Sequence, residues 1–224
     1  MRKAGDLIRD YLREGKLASN RSEPIGAGGY GVVYASDVPG NVMKQSHQPD
    51  GLFPGVQTSL TDEANMQAIA AEMGIAPRIA GIETFPGGIG NRIEMQDVRP
   101  NFETRKSTKY RQWPQGKDAV RVNQQLGELA LKGVDLDDRH NGNVVYNKMT
   151  GRPMQLDFGK SRKVTGEDQV AALTNATEAG LAAAGLGDVA EIYSATVYDL
   201  LAGGQVNEAM DVAKQGFSRL QKLK

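Results

Sequence analysis

Two stretches of the sequence carry side chains that could transfer a phosphate group. In the first, Asp138 and Asn143 lie five positions apart, directly before the β-branched run Val144-Val145. In a tight loop, the Asp138 carboxylate could orient an attacking hydroxyl and accept its proton, while the Asn143 amide oxygen could bind a metal ion. In the second, Asp157 of Leu156-Asp157-Phe158-Gly159 ends the next short strand and could hold Mg²⁺ against nucleotide phosphates.

A glycine-rich segment earlier in the chain could cradle those phosphates. It is Gly26-Ala27-Gly28-Gly29-Tyr30-Gly31-Val32-Val33-Tyr34, between two predicted strands. Because glycine has no Cβ, backbone N–H groups in such a turn can approach phosphate oxygens closely. A β-branched strand follows Gly31, whereas a dinucleotide-binding fingerprint would open a helix, so the pattern favours a hairpin over a Rossmann loop.

Two charged residues follow this segment. Lys44 ends the apolar strand 41–44, from which its ammonium group could reach the α- and β-phosphates of a nucleotide. Glu63 lies in the first turn of a helix predicted over 58–74, with Ser59 as its N-cap. Its carboxylate could pair with Lys44 across a cleft and fix the ammonium group.

The period of the apolar residues indicates which elements position these side chains. The sequence predicts a helix at 3–17, strands between 23 and 44, a loop at 48–57, the 58–74 helix, strands at 78–85 and 91–98, an irregular stretch at 99–117, a helix at 118–133 and a hairpin at 144–156. Two or three alanine-rich helices follow within 167–224, broken at Gly185-Leu186-Gly187 and Gly203-Gly204. A mostly β first half with one inserted helix, before a mostly helical second half, predicts a two-lobed α+β fold.

Composition excludes several classes of function. The chain has 224 residues, 39% of them apolar, which is enough to bury the core of one domain or of two lobes. It has no cysteine and two histidines, which excludes disulfides, thiolate metal sites and multi-histidine metal sites. Because no apolar run is long enough to span a membrane and the charged N-terminus does not resemble a signal peptide, we expect a cytoplasmic protein with no membrane partner.

Taken in order, these features resemble the protein-kinase-like superfamily: a glycine-rich loop, a strand lysine, a helix glutamate, an Asp-x4-Asn catalytic loop and Asp-Phe-Gly. The resemblance covers about residues 26–159 and implies ATP and Mg²⁺ as cofactors. It implies a β-rich N-lobe over 1–97 and a reduced helical C-lobe over 98–224. Asp138, Lys44 and Glu63 would be catalytic, and Asn143 and Asp157 would be metal ligands. The nucleotide-binding residues would be Gly26, Gly28, Gly29, Tyr30, Gly31, Val33, Lys44, Met95, Gln96 and Val98, with Met95 behind the adenine and the backbone of 96–98 bonding the base.

The sequence also departs from that family's pattern. Leu136-Asp137-Asp138 stands where eukaryotic protein kinases have His-Arg-Asp, and no Ala-Pro-Glu follows Gly159. After Gly159 the chain is expected to run through 160–163 straight into a helical region. We therefore predict that activation-loop phosphorylation is not needed. The form Asp-x-His-x-Gly-Asn is similar to bacterial small-molecule phosphotransferases and to atypical or effector kinases, including compact kinases that bacteria and phages deploy in a host cytoplasm.

Three alternatives remain for the function of the protein. The first is a kinase acting on Ser or Thr of a protein or of itself, the second a phosphotransferase for a small hydroxylated or aminated molecule, and the third a non-catalytic nucleotide-binding or scaffold module. A basic segment over 99–121 could dock an acidic partner, whereas the balanced net charge gives no reason to expect nucleic acid. Its cationic residues are Arg99, Arg105, Lys106, Lys109, Arg111, Lys117 and Arg121.

Overall fold

Five strands form the largest sheet of the described chain. The structure is a computed structural model, and it describes residues 23–27, 31–46, 59–85, 90–104, 114–137 and 141–223. The strands are β1 (Gly26–Ala27), β2 (Gly31–Ala35), β3 (Asn41–Ser46), β4 (Ile79–Glu83) and β5 (Arg92–Gln96). Neighbours are antiparallel in the order β1-β2-β3-β5-β4, which makes β3 the central strand. The strands predicted between 23 and 44 and at 78–85 and 91–98 are thereby confirmed, but Lys44 does not end its strand: β3 continues to Ser46, because residues 45 and 46 pair with β2.

The turn into β3 and the pairing of β3 fix the position of Lys44. Gly40 has a φ of 84°, a left-handed conformation that suits glycine, and the Asn41 N–H closes the turn on the Val38 carbonyl at 3.1 Å. Along β3, Lys44 lies opposite Val33 on β2 and Ile93 on β5. Side chains alternate between the two faces of a strand, so residues 42 and 44 project from the same face of the sheet.

Helix α1 (Leu60–Glu72) confirms the helix predicted over 58–74. The Ser59 Oγ accepts a hydrogen bond from the Asp62 N–H at 3.1 Å, which satisfies one of the unpaired donors at a helix N-terminus. Met66 and Ala70, on the predicted apolar stripe, are buried. One turn after the cap, this start places Glu63 on the buried side of the helix, where its side chain is 3% exposed.

The next helix, α2 (Gly116–Leu131), confirms the helix predicted at 118–133. Short strands precede and follow it in the chain. The predicted hairpin is β8 (Val144–Asn147) paired with β9 (Pro153–Gln155), after a 3₁₀ turn at Asn141–Asn143. Two expectations were wrong. The stretch 99–117 contains β6 (Phe102–Glu103), which pairs with β8, and the chain after Gly159 forms β10 (Ser161–Lys163), which pairs with β7 (Val134–Leu136).

Three C-terminal helices follow: α3 (Gly166–Ala183), α4 (Gly187–Ala202) and α5 (Val206–Gln221). They break at the two predicted glycine positions, where Gly185 and Gly204 have φ of 82° and 74°. Glycines within the helices allow close packing: a Cβ added at Gly127 of α2 would lie 2.1 Å from the Phe217 ring of α5. The prediction of two or three helices is confirmed, with three.

The buried core is continuous from α1 into the later part of the chain. One cluster joins Met66 and Ala70 of α1 to Val122 and Leu126 of α2 and to Phe158. The described chain is thus an α+β structure with one large sheet, two small ones and five α-helices. No helix within the described ranges is both long and apolar enough to cross a membrane. The predicted helix at 3–17 and loop at 48–57 lie outside those ranges.

Candidate active site

Strand β3, helix α1 and the loop before β10 bring three charged side chains together. The Lys44 Nζ donates to Glu63 Oε1 at 2.5 Å and to Asp157 Oδ1 at 3.0 Å. The Lys44 side chain is 12% exposed, Glu63 3% and Asp157 36%. One ammonium group therefore bridges a buried carboxylate and a partly exposed one, and the Lys44–Glu63 pairing expected from the sequence is present.

Burial and charge act in opposite directions on this cluster. Burial alone would lower the pKa of the Lys44 ammonium, but the carboxylates of Glu63 and Asp157 outweigh it and raise that pKa above its ordinary value. Burial raises the pKa of the Glu63 carboxyl; the Lys44 ammonium opposes this, while the charge of Asp157 adds to it. The Lys44 side chain therefore stays protonated at neutral pH and supplies a fixed positive charge.

The loop that carries Asp157 is anchored on both sides. Phe158 is fully buried in the core, and its carbonyl accepts from both the N–H and the Oγ of Ser161. The Gly159 N–H donates to Asp157 Oδ1 at 3.0 Å. A Cβ at Gly159 would lie 3.2 Å from that oxygen, a tight contact, and 3.6 Å from Glu63 Oε2, an ordinary van der Waals contact. A side chain at position 159 would therefore press on the Asp157 carboxylate.

A cavity of about 290 Å³ opens beside this cluster. Its apolar walls come from the large sheet and from the chain before Asp157, and Lys44, Asn143 and Asp157 add polar groups to its lining. A mostly apolar cavity with a few convergent polar groups is the usual form of a small-molecule site. The lining residues are Ile25, Gly26, Ala27, Gly31, Val33, Val42, Lys44, Pro77, Met95, Gln96, Asp97, Val98, Arg99, Asn143, Leu156 and Asp157.

The segment after β5 forms the edge of the cavity and has most of its backbone groups engaged. The Gln96 N–H donates to the Arg78 carbonyl and the Asp97 N–H to the Gly40 carbonyl, at 2.9 and 2.8 Å. The Val98 carbonyl accepts from the N–H groups of residues 101 and 102. These bonds fix the backbone of residues 96–98 beside the cavity.

Two side chains brace the same segment. Arg99 forms a two-point ion pair with Asp97, with Nε–Oδ1 and Nη2–Oδ2 distances of 2.9 and 2.7 Å. The Arg99 hydrogen bond lowers the pKa of the Asp97 carboxyl. The Lys148 Nζ, from the turn after β8, donates to the carbonyls of Arg99 and Pro100 at 3.1 and 2.8 Å. The edge of the cavity is therefore tied to the β8–β9 hairpin.

Asn143 and Asp157 fit a hard divalent cation by their chemistry. Both line the cavity, both offer oxygen donors, and the Leu156 N–H donates to the Asn143 carbonyl at 2.9 Å, which holds the two segments side by side. Mg²⁺ prefers oxygen ligands and is typically held by one or two protein groups plus waters and substrate phosphates. Within the described ranges no cluster of three or more His, Cys, Asp or Glu residues could form an all-protein metal cage.

The structure brings most of the expected site residues to this one cavity. Gly26, Gly31, Val33, Lys44, Met95, Gln96, Val98, Asn143 and Asp157 all line it, and Glu63 lies directly behind Lys44. Asp138 and the glycine-loop residues Gly28, Gly29 and Tyr30 lie outside the described residues. So do residues 105–113, the centre of the 99–121 basic segment; at its two ends, Arg99 pairs with Asp97 and Arg121 donates to the Gly151 carbonyl.

Several lining residues were not anticipated from the sequence: Ile25, Ala27, Val42, Pro77, Arg99 and Leu156. Val42 had a usable signal, because it is two positions before Lys44 and so projects from the same face of β3. Leu156 directly precedes Asp157. Pro77 comes from the turn before β4 and had no local signal, because its place at the cavity depends on how the chain returns to the sheet.

No protein-family profile and no curated protein sequence matches this chain. Among solved structures, it is similar to the PK-1 kinase of Cydia pomonella granulovirus, with a TM-score of 0.46 and 15% sequence identity. The similarity covers 72% of this chain and 61% of the viral kinase, so the chain spans less than two thirds of that protein's length.

Proposed function

We propose that this protein is an ATP- and Mg²⁺-dependent phosphotransferase of protein-kinase-like fold, acting on Ser or Thr hydroxyls of a protein or of itself. The observation that carries the proposal is the Lys44 ammonium bonded to both Glu63 and Asp157 beside a mostly apolar cavity. A buried cation beside the side-chain oxygens of Asn143 and Asp157 suits a nucleoside triphosphate. The base of that nucleotide would pack against the apolar residues that line the cavity.

In the proposed reaction, each side chain has one task. Lys44, fixed by Glu63, would hold the α- and β-phosphates, and Asn143 with Asp157 would hold Mg²⁺, which when bound neutralises charge on the β- and γ-phosphates. Asp138 would orient the acceptor hydroxyl and take its proton. The acceptor oxygen forms a bond to the γ-phosphorus as the bond from that phosphorus to the β–γ bridging oxygen breaks, and ADP leaves.

The proposal extends to how the chain is divided. Residues 1–97 would form a β-rich lobe and 98–224 a helical lobe, with the nucleotide between them. The lining of the cavity supports this division, because Val33, Val42 and Lys44 come from the first part and Asn143, Leu156 and Asp157 from the second. The proposed location is cytoplasmic, and an acidic partner would dock on the 99–121 basic segment.

Binding and transfer are tested separately on the full chain. ATP with Mg²⁺ is expected to raise the melting temperature, because a ligand that binds the folded state stabilises it by mass action. Asp157→Asn should weaken that shift, whereas Glu83→Gln, a carboxylate in an exposed pair with Arg92 on the same sheet, should not. An unchanged melting temperature of the wild type at millimolar ATP contradicts the nucleotide site.

Transfer is measured with γ-labelled ATP on the protein alone, on a host lysate and on a set of small hydroxylated and aminated molecules. Asp138→Asn should still bind ATP yet lose transfer by a factor on the order of 10² or more, because orienting the acceptor is a transition-state role. Label on the small molecules but not on protein would replace the Ser/Thr acceptor by the second alternative. Binding with no transfer to any acceptor would leave a nucleotide-binding module.

A further inference from the structure

A second ion pair lies outside the cavity, between the two short strands that the sequence did not reveal. On β10 and β7, Arg162 is directly opposite Asp135. Its Nε and Nη2 both donate to Asp135 Oδ2, at 3.1 and 3.0 Å. The Asp135 side chain is 9% exposed and that of Arg162 57%, so a nearly buried carboxylate is covered by a guanidinium that reaches the surface.

The guanidinium also approaches a third element. Its Nη1 lies 3.9 Å from Asp168 Oδ2, in the first turn of α3. Arg162 therefore contacts β7 and the start of α3 while itself belonging to β10. The guanidinium presents several donors in one rigid plane, so it contacts both carboxylates in a fixed geometry.

The position of the two strands in the chain gives this pair its significance. Strand β7 ends two residues before Asp138, the proposed catalytic aspartate, and β10 begins two residues after Gly159, in the loop that carries Asp157. The pair thus joins the two segments that would supply the general base and a metal ligand. The backbone pairing of β7 with β10 is three residues long. Such a short pair is only marginally stable by itself, so the side-chain ion pair adds to its stability.

We propose that Arg162 is a positioning residue for phosphate transfer: its ion pair with Asp135 holds the catalytic loop against the metal-binding loop without any phosphorylation. This inference rests on the proposed function. In many switches, a phosphorylated segment orders neighbouring loops by forming new charge-assisted hydrogen bonds. Here Arg162 and Asp135 would hold the two loops in place instead. Ser161, in the same strand, is 2% exposed with its hydroxyl bonded to the Phe158 carbonyl, so it is not available for modification in the folded protein.

The test compares four full-length variants with wild type: Arg162→Gln, Arg162→Lys, Asp135→Asn and the double variant Asp135→Asn/Arg162→Gln. Lys163→Gln is the matched control, because it removes the same charge from the next residue of β10, whose side chain projects from the opposite face. All proteins are produced with a phosphatase and checked by mass spectrometry for absence of phosphate. The measurements are kcat and KM for ATP, and the melting-temperature shift with ATP and Mg²⁺.

For Arg162→Gln we expect kcat to fall about 10- to 100-fold, the range that small misplacements of reacting groups produce. The KM for ATP and the nucleotide-induced melting shift should stay near wild type, a split that general loss of structure would not give. The double variant should lose no more than the worse single variant, because the two residues act as one unit. Arg162→Lys, which keeps the charge, should recover part of the lost kcat, and Lys163→Gln should match wild type.

Several results would overturn the inference. Full turnover in Arg162→Gln, additive losses in the double variant, or equal losses in Lys163→Gln would each show that the pair does not position the loops. A lag in the unphosphorylated wild type that pre-incubation with ATP removes would show that phosphorylation does this ordering. A wild type that transfers no phosphate to any acceptor refutes the proposed function itself, and this inference with it.

Discussion

Replacing Lys44 by methionine tests the electrostatic balance of the site without any ligand. Methionine fills a similar volume but removes the charge that lies 2.5 Å from Glu63 Oε1 and 3.0 Å from Asp157 Oδ1. Asp157 is 36% exposed and can be solvated, so most of the effect falls on Glu63, whose side chain is 3% exposed. Removing one partner of a buried ion pair typically costs about 3–5 kcal/mol.

Protonation of Glu63 sets an upper limit on that cost. The ordinary pKa of the carboxyl is 4.5, and each pH unit above it costs about 1.4 kcal/mol of protonation free energy. At pH 7 the variant can neutralise Glu63 for about 3.4 kcal/mol, and at pH 5 for about 0.7 kcal/mol. Some of this is offset because Lys44 no longer has to be desolvated. We therefore expect Lys44→Met to lower the free energy of unfolding by about 2–3 kcal/mol at pH 7 and by under about 1 kcal/mol at pH 5.

The sign follows from proton binding in the two states. Without Lys44, the pKa of Glu63 in the folded protein rises further above its unfolded value, so the folded state binds the proton more tightly. A carboxyl with a raised folded-state pKa favours folding below its unfolded pKa, and this contribution is lost as the pH rises through the folded pKa. The destabilisation caused by Lys44→Met must therefore grow with pH between about 5 and 7.

The assay is urea unfolding of both proteins at pH 5 and pH 7, with the slope m compared to exclude a change in the unfolded ensemble. The second variant, Lys44→Met/Glu63→Gln, should regain stability at pH 7 and lose the pH dependence. Glu83→Gln, from an exposed pair, should change stability by about 0.5 kcal/mol or less at either pH. An equal cost of Lys44→Met at both pH values would refute the reasoning.

Three further predictions follow from the structure: two concern glycines, and the third concerns the hydroxyls of Ser161 and Thr165. Gly127→Ala should lower the free energy of unfolding in urea by about 2 kcal/mol or more, because its Cβ would meet the ring of Phe217 at 2.1 Å. Gly187→Ala, at a helix start where a Cβ would have nothing within 4 Å, should instead stabilise the protein by about 0.4–1 kcal/mol. Similar effects of the two variants would contradict the packing argument. Gly159→Ala should reduce the melting shift given by ATP and Mg²⁺, because its Cβ would press on the Asp157 carboxylate at 3.2 Å; an unchanged shift would show that this contact does not displace the carboxylate. Ser161→Ala should cost about 1 kcal/mol in stability and keep near wild-type turnover. Thr165→Ala, at an exposed position, should also keep near wild-type turnover, and a large fall in kcat in either variant would point to a role for the hydroxyl that it lacks.

The elements around Lys44 could be predicted because each has a local chemical signal. Ser59 and Asp62 mark the start of α1, and the cap bond between them fixes which residue of the first turn faces inward. Apolar alternation marks β5, and Gly40 marks the turn that starts β3. The pairing of Lys44 with Glu63 then follows from packing the helix on the sheet, and the structure has it.

Strands β7 and β10 had no such signal. Each is three residues long, too short for a period of two to be distinguished, and 24 residues lie between the end of β7 and the start of β10. Asp135 and Arg162 are charged, so neither position adds an apolar residue that would indicate a strand. The pairing depends on α2 and α3 placing the two segments side by side, which local sequence cannot specify.

The charged cluster also bears on why these residue types are present at all. Replacing a buried ion pair by well-packed apolar residues is often neutral or stabilising, so stability alone gives no reason to keep Lys44 and Glu63 in the interior. A fold that needed only a core could extend the cluster of Val42, Leu60 and Ile93 into that space. Three ionisable groups from a strand, a helix and a loop instead meet beside a cavity. The proposed phosphate transfer would require this arrangement, and packing alone does not account for it.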